Sequence, residues 1–158
     1  MLRPTCAILA LVMLAPAAWP QQKETPIPPM TRHAHGTFTV SIQPLTPPPA
    51  DGLSRFSIDK QIQGDLEATT KGEMFSGGDY KTGAAGYVAI EVVTGVLQGK
   101  RGTFALQQMA TMDSNGLKLS VVVVPGSGTG ELKGISGTFT ITIADGKHSY
   151  DLEYTLPA

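Results

Sequence analysis

The sequence predicts an all-β protein folded as an eight-stranded antiparallel up-and-down β-barrel. Short stretches rich in Val, Ile, Thr and Phe follow one another along the chain and are separated by Gly, Asp and Pro, which is typical of strands joined by turns. Almost no segment has apolar residues at helical spacing. The pattern Gly-x-Leu-x-Gly-x-x-Gly-Thr-Phe also occurs twice, at residues 95–104 and 130–139, which indicates a turn structure that is built twice.

The connections define the strands in chain order. The prolines at 47–49 end the first strand with a stiff loop, Gly64-Asp65 turns the second strand into the third, and residues 76–86 form a longer loop before the fourth. The first repeat separates strands four and five, Asn115-Gly116 separates five and six, the second repeat separates six and seven, and Asp145-Gly146 separates seven and eight. Short turns of this chemistry join antiparallel neighbours. The predicted strands are 36–43, 54–63, 65–75, 86–97, 103–112, 117–124, 136–143 and 148–156.

Closure into a barrel follows from the number and length of these strands. Eight strands of about ten residues that are joined by short turns tend to close, because closure removes the exposed edges of an open sheet. The interior of an eight-stranded barrel holds side chains or one small ligand. We therefore expect a single β-barrel domain at residues 33–158.

The N-terminal residues are typical of an exported protein. Arg3 precedes an apolar run, and small residues suited to cleavage within 17–20 follow it, so residues 1–17 are predicted to be a signal peptide. The run is about half the roughly 20 residues of a membrane-spanning helix, so no permanent membrane anchor is expected. Residues 18–32 are predicted to be a flexible Pro-rich leader. The protein is therefore predicted to be periplasmic or secreted, and its single cysteine, Cys6, is removed with the signal peptide.

Charge and motif content exclude several function classes. The net charge is −1 and no basic run is longer than Lys100-Arg101, so we expect no nucleic-acid partner. Neither repeat fits a phosphate-binding loop, and no helix follows to supply its N-terminus. No G-x-S-x-G elbow occurs, and Ser127 lies in a turn without a base, which disfavours serine hydrolysis. The repeat glycines are interpreted as structural turn residues: Gly95, Gly99, Gly102, Gly130, Gly134 and Gly137.

Three stretches resemble a known bacterial family. They are KQIQGDLEA at 60–68, GVLQGKRGTFALQ at 95–107 and VVPGSGTGELKGISG at 123–137, and they are similar to the family catalogued as domain of unknown function 3224. That family looks like the allene oxide cyclase and dirigent group, so the resemblance implies an allene-oxide-cyclase-like or calycin-like barrel. Typical members have His at the position of Gln108 and Arg at that of Val92. The resemblance therefore implies no proton transfer by a histidine here.

Polar residues interrupt three apolar rows near the middle of their strands. Because alternate residues of a barrel strand face inward, such rows indicate a mixed interior. A buried charge must be paired, so we expect contact between Lys60 and Glu91, with Gln108 and Tyr87 as hydrogen-bonding groups towards a ligand. The rows are Phe56, Ile58, Lys60 and Ile62; Tyr87, Ala89, Glu91 and Val93; and Phe104, Leu106, Gln108 and Ala110.

The facing of the fourth strand is open at this level. Val88, Ile90 and Val92 form a row that is even more apolar. If that row faces the core, Glu91 is a solvated outer residue. If Glu91 faces inward, it is a general base or an anion with Lys60 as its partner.

His33 and His35 are spaced so that they share one side of a strand, as a metal site requires. The remaining histidine is His148, and the sequence provides no evident third ligand. We therefore predict no metal site and no cofactor, and we interpret the pair as part of a frayed, solvated first strand.

These observations favour a binding protein over an enzyme. The leading hypothesis is an exported barrel that binds a small apolar or amphipathic molecule in its lumen, with Lys60, Tyr87, Glu91 and Gln108 as candidate ligand-binding residues. One alternative is an isomerase or cyclase of a hydrophobic substrate, which requires Glu91 and Lys60 to reach an open cavity. The other is a structural barrel without a ligand that forms a homo-oligomer through an apolar outer face.

Overall fold

Eight antiparallel strands form a closed barrel in the computed structural model, which describes residues 30–157. The predicted signal peptide at 1–17 and nearly all of the leader at 18–32 lie outside the described residues. The strands are β1 (Arg32–Leu45), β2 (Leu53–Gly64), β3 (Leu66–Asp79), β4 (Ala84–Leu97), β5 (Lys100–Asp113), β6 (Gly116–Val123), β7 (Ser136–Ala144) and β8 (Lys147–Thr155), with one 3₁₀-helix at Gly130–Leu132.

The predicted all-β class, strand number and closed up-and-down topology are confirmed. Each strand pairs antiparallel with its neighbour in sequence, and β1 pairs with β8 from Arg32↔Tyr154 to Phe38↔His148. The first strand therefore begins at Arg32 and is paired there, so the prediction of a frayed strand was wrong. Among the residues that the structure describes, no helix is long and apolar enough to cross a membrane.

The predicted loop at 76–86 was also wrong, because β3 and β4 continue through most of it and leave a short turn at 80–83. Glycine allows this close pairing, since a Cβ at Gly78 would lie 2.9 Å from the Cα of Ala85. Asp79 begins the turn by accepting a 2.9 Å hydrogen bond from the backbone N–H of Lys81 to its side chain.

The two repeats lie at the same end of the barrel but have different structures. The first is the β4–β5 hairpin, with Gly99 at φ +84° in its turn. The second is not a hairpin, because β6 and β7 pair only at Val122↔Thr138 and the chain between them winds through the 3₁₀-helix. It packs on the first repeat, where the N–H of Thr129 donates to the carbonyl of Thr103 at 2.8 Å.

The barrel is filled at one end only. At the end of the β4–β5 turn, here called the packed end, large apolar side chains from every side close the interior. At the other end, here called the open end, several inward-facing side chains are partly exposed, such as Phe56, Met74 and Met112. The packed core includes Leu66, Val93, Leu97, Phe104, Leu106, Leu132, Ile135, Phe139, Leu152 and Tyr154.

Candidate functional site

Four polar side chains meet in the middle of the barrel, just above the packed core. Lys60, Thr70, Glu91 and Gln108 come from β2, β3, β4 and β5 and are almost completely buried. Strand pairing brings these residues to a similar level along the barrel axis. Lys60 pairs with Thr70 across β2 and β3, and Glu91 pairs with Gly72 across β3 and β4. We call these four residues the polar cluster.

Glu91 is the centre of the polar cluster. Its Oε1 accepts hydrogen bonds from Lys60 Nζ and Gln108 Nε2, and its Oε2 accepts one from Thr70 Oγ1 at 2.5 Å. Thr70 Oγ1 also accepts a 3.0 Å hydrogen bond from the backbone N–H of Lys60. Buried polar groups must be hydrogen-bonded to be tolerated, and within residues 30–157 no fully buried side-chain polar atom lacks a partner.

Glycine at position 72 makes room for this carboxylate. Gly72 lies directly across from Glu91, and a Cβ there would lie 2.6 Å from the Cα of Glu91. Any other residue would push β3 and β4 apart at the height of the cluster. The pairing of β3 with β4 thus places a residue without a side chain opposite the buried acid.

Burial and pairing act on Lys60 in opposite directions. Removal from water lowers the pKa of the Lys60 ammonium, and the nearby Glu91 carboxylate partly offsets this by favouring the charged form. The ammonium also lies 5.6 Å from the centre of the Phe38 ring, within the range of a cation–π contact. The carboxylate and the aromatic face together replace part of the lost hydration of the cation.

A cup of about 440 Å³ opens above the polar cluster at the open end of the barrel. Its lining residues are mainly apolar and carry four hydroxyl groups, and none of the described residues that line it is charged. The apolar part includes Ile42, Phe56, Ile58, Met74, Met112 and Leu117, and the hydroxyls belong to Ser76, Tyr80, Tyr87 and Thr111.

Tyr87 connects the cup to the polar cluster. Its ring lines the cup, and its hydroxyl lies 3.5 Å from Oε1 of Gln108, at the upper limit of a hydrogen bond. Burial, with a smaller contribution from the negative charge of Glu91, raises the pKa of the Tyr87 phenol above its ordinary value. The phenol is therefore a neutral donor at the floor of the cup.

The structure brings together all four residues that the sequence singled out, Lys60, Tyr87, Glu91 and Gln108. The expected contact between Lys60 and Glu91 is present, and β4 turns Glu91 inward while Val88 and Ile90 are more than half exposed. Of the four, only Tyr87 lines the cup. Glu91 and Lys60, at 0% and 3% exposed, do not reach it.

Two features were missed by the sequence analysis. Thr70 lies in the inward row of Leu66 and Ala68, but a threonine in a strand is too common to indicate a buried hydrogen bond. The cup itself was not predicted, because the difference between a filled and an open end depends on how all eight strands converge. No pattern within one strand carries that information.

The outer wall of β3, β4 and β5 carries an apolar surface, here called the outer patch. Phe75, Val88 and Met109 are cross-strand neighbours, and Ile90 and Val92 continue the row along β4. All five are more than a third exposed. A shallow groove of about 510 Å³ is lined by three of them, Phe75, Val88 and Ile90, together with Glu73, Ala89 and Gln107.

Comparison with known proteins gives one family. The family model described as "Protein of unknown function (DUF3224)" matches residues 34–154. Among solved structures, the chain is similar to the crystal structure of a protein with unknown function from the DUF3224 family from Shewanella oneidensis MR-1, with 40% sequence identity and a TM-score of 0.73. The likeness covers 82% of this chain and 100% of that one. None of the curated proteins compared with the chain is similar to it.

Proposed function

This chain belongs to the DUF3224 family, and we propose that its barrel binds a small, uncharged and mainly apolar molecule in the cup at the open end. The cup itself is the observation that carries the proposal. A volume of about 440 Å³ is within the usual range for small-molecule sites, which are lined by apolar side chains with a few placed polar groups.

The chemistry of the lining selects the class of ligand. Because the described lining residues are uncharged, an ionised ligand would lose its hydration without gaining a partner of opposite charge. A ligand hydroxyl group can instead donate a hydrogen bond to the phenol oxygen of Tyr87, whose own proton is directed at Oε1 of Gln108. Gln108 and Glu91 act in this proposal behind Tyr87, as residues that hold its hydroxyl in place.

Matched variants of β4 test the proposal. Ala85 lines the cup, whereas its neighbour Ala84 is exposed on the other face of the strand. We expect Ala85→Trp to fill the cup and abolish binding of 1-octanol, measured by native mass spectrometry and calorimetry, and Ala84→Trp to leave it unchanged. Octanoate, of the same length but charged, should bind more weakly. Equal binding of 1-octanol by both tryptophan variants would refute the proposal.

An isomerase or cyclase of a hydrophobic substrate is a weaker candidate. The resemblance to allene oxide cyclase and dirigent barrels motivates it, and an open lumen would suit it. A general base must come within hydrogen-bond reach of its substrate, whereas Glu91 is enclosed by its own three donors. We therefore favour binding without catalysis.

A homo-oligomer held together by the outer patch is a second candidate role, and it is compatible with the first. Contiguous exposed apolar surface of this kind marks interaction sites. The row of Val88, Ile90 and Val92 contains no charge, so two copies can face each other there without burying an unpaired ion.

Export through residues 1–17 is proposed on sequence grounds alone. Expression of the full chain in a bacterium with a periplasm should give a product that begins within residues 18–20, after cleavage within 17–20. Intact-mass measurement of the protein from that compartment tests this, and a product that retains Met1 and stays in the cytoplasm would overturn it.

A further inference from the structure

We propose that His33, His35 and Asp151 form a binding site for a divalent transition-metal ion of the zinc type on the outer surface near the packed end. The side chains lie outside the barrel, far along the strands from the cup, so this site is independent of the proposed ligand site. One potential ligand atom from each of the three residues lies within 4.8 Å of the others.

The pairing of β1 with β8 assembles the site. His33 and His35 project from the same face of β1, and the ladder places Asp151 opposite His35 and Glu153 opposite His33. Asp151 supplies the third ligand that the sequence alone did not reveal, since it is more than a hundred residues away in the chain. A two-residue histidine spacing thus becomes a three-ligand cluster only when the barrel closes.

The distances fit one shared ion. Oδ1 of Asp151 lies 3.0 Å from Nδ1 of His33 and 3.6 Å from Nδ1 of His35. Two ligands that are each about 2.1 Å from a metal lie about 3.0–3.4 Å apart at tetrahedral or octahedral angles. Small rotations of exposed side chains are therefore enough to bring all three atoms onto an ion.

The backbone of the two histidines is held by neighbouring turns. The Gln98 side chain donates a 2.8 Å hydrogen bond to the carbonyl of His33. Asp65 accepts the N–H of His35 at its carboxylate, 2.9 Å away, and donates its own N–H to the carbonyl of His35 at 3.0 Å. The backbone of both histidines is therefore held in place, and their rings are stacked with centroids 5.9 Å apart.

The donor set selects the kind of metal. Two imidazole nitrogens and one carboxylate oxygen suit zinc, nickel and copper, whereas magnesium and calcium prefer oxygen ligands alone. Glu153 lies 3.9 Å from Nε2 of His33, on the side away from Asp151. When Nδ1 binds the metal, Nε2–H can donate to Glu153, which orients the ring as outer carboxylates do in zinc sites.

The third histidine provides a matched control. His148 lies against Phe38 on the far side of the barrel wall, away from the cluster. The full chain, made without a polyhistidine tag, should bind one Zn²⁺ per molecule in calorimetry. His33→Gln and His35→Gln should each weaken binding by more than about tenfold, since even loss of an outer partner costs roughly 10- to 100-fold. His148→Gln should leave it unchanged, and Mg²⁺ should not bind.

Copper reports the ligands directly. Electron paramagnetic resonance of the Cu²⁺ complex should show coupling to two imidazole nitrogens in the native chain and to one in His35→Gln. Asp151→Asn should weaken binding while both nitrogens remain coupled. The proposal is overturned if Zn²⁺ does not bind, if His33→Gln and His35→Gln bind it as the native chain does, or if the copper spectrum lacks nitrogen coupling. Unchanged melting of the metal-free variants confirms that these exposed substitutions leave the fold intact.

Discussion

Glu91 carries its charge inside the barrel because donors from three strands converge on its carboxylate. Sequence reasoning reached Lys60, Glu91 and Gln108 because each interrupts an apolar row and a buried charge needs a partner. It could not choose between the two faces of β4, since Val88, Ile90 and Val92 are as apolar as an inward row. The structure places that row on the outer wall, where Val88, Ile90 and Val92 are exposed as part of the outer patch.

Breaking the Lys60–Glu91 pair is expected to destabilise the fold mainly because it leaves a buried charge without its partner. Lys60→Met should reduce the free energy of unfolding by about 3–5 kcal/mol, because it leaves a buried carboxylate unpaired. Adding Glu91→Gln should recover at least half of this loss, since the uncharged amide can still accept from Gln108 through its oxygen and donate to the Thr70 hydroxyl through its nitrogen. Urea unfolding of the native chain, both single variants and the double variant measures the effect. A double variant that is no more stable than Lys60→Met would contradict the pairing argument.

Tyr87 should report its burial in an alkaline titration. Its folded-state pKa is raised, so the phenol is held protonated by the fold. The corresponding stability is fully present below the unfolded-state pKa and is lost as the pH rises through the higher folded-state pKa. The ultraviolet phenolate band of the native chain minus that of Tyr87→Phe should therefore develop at higher pH in the folded protein than in urea. Coincident curves would show that Tyr87 is solvated rather than part of the floor of the cup.

At the scale of elements, turn chemistry predicted the strands well and the connections less well. Strand edges were correct within a few residues, because Gly, Asp and Pro interrupt the apolar alternation at each end. The glycines that the two repeats share predict the same hairpin turn for both, and the prediction is wrong for the second repeat. In the structure, β6 and β7 pair at one position only. The second repeat therefore forms no hairpin, and it packs against the first repeat instead.

Replacing a glycine of the first repeat by alanine should therefore lower the free energy of unfolding by an amount that depends on the position. Gly99 has a positive φ, but a Cβ there meets nothing within 4 Å. Gly99→Ala should cost about 1 kcal/mol of unfolding free energy from backbone strain alone. A Cβ at Gly102 would collide with the carbonyl oxygen of Thr129 and lie 3.1 Å from Leu132 Cγ. Gly102→Ala should cost more, about 2–3 kcal/mol, because the two repeats must separate.

Thermal or urea unfolding of the two alanine variants provides the comparison. Equal costs at the two positions would mean that the second repeat does not press on the first. Gly86→Ala is a useful reference within a strand, since a Cβ there would lie 3.3 Å from the nearest atom, the carbonyl oxygen of Ala110. The free energy of unfolding of Gly86→Ala should lie between that of the native chain and that of Gly102→Ala.

At the scale of the whole molecule, the barrel has a filled half, a buried polar layer and an open half. The sequence predicted the barrel and the polar residues, but the contrast between its ends comes from the convergence of eight strands and from the second repeat, whose Leu132 and Ile135 close the packed end. The metal cluster is a similar case, because one of its residues comes from the strand that completes the ring. Features that arise from local or periodic patterns, such as the strands and the buried polar residues, could be predicted. Features that arise only when the barrel closes, such as the open end, could not.

Closure also turns an apolar row of β4 to the outside, and this leads to the last prediction. Charges at the edge of the outer patch are already paired within the chain, Arg55 with Glu73 at 2.7 Å and Lys71 with Asp59 at 2.8 Å, and the five side chains of the patch are themselves uncharged. We expect the native protein to sediment as a dimer or larger oligomer. Ile90→Lys should raise the dissociation constant at least roughly tenfold, the equivalent of 1.4 kcal/mol, because the lysine would be buried at the interface without a partner. Thr142→Lys, a change at an exposed position of β7, should not alter sedimentation. A native chain that sediments as a monomer at every concentration would show that the outer patch is not covered by a second copy.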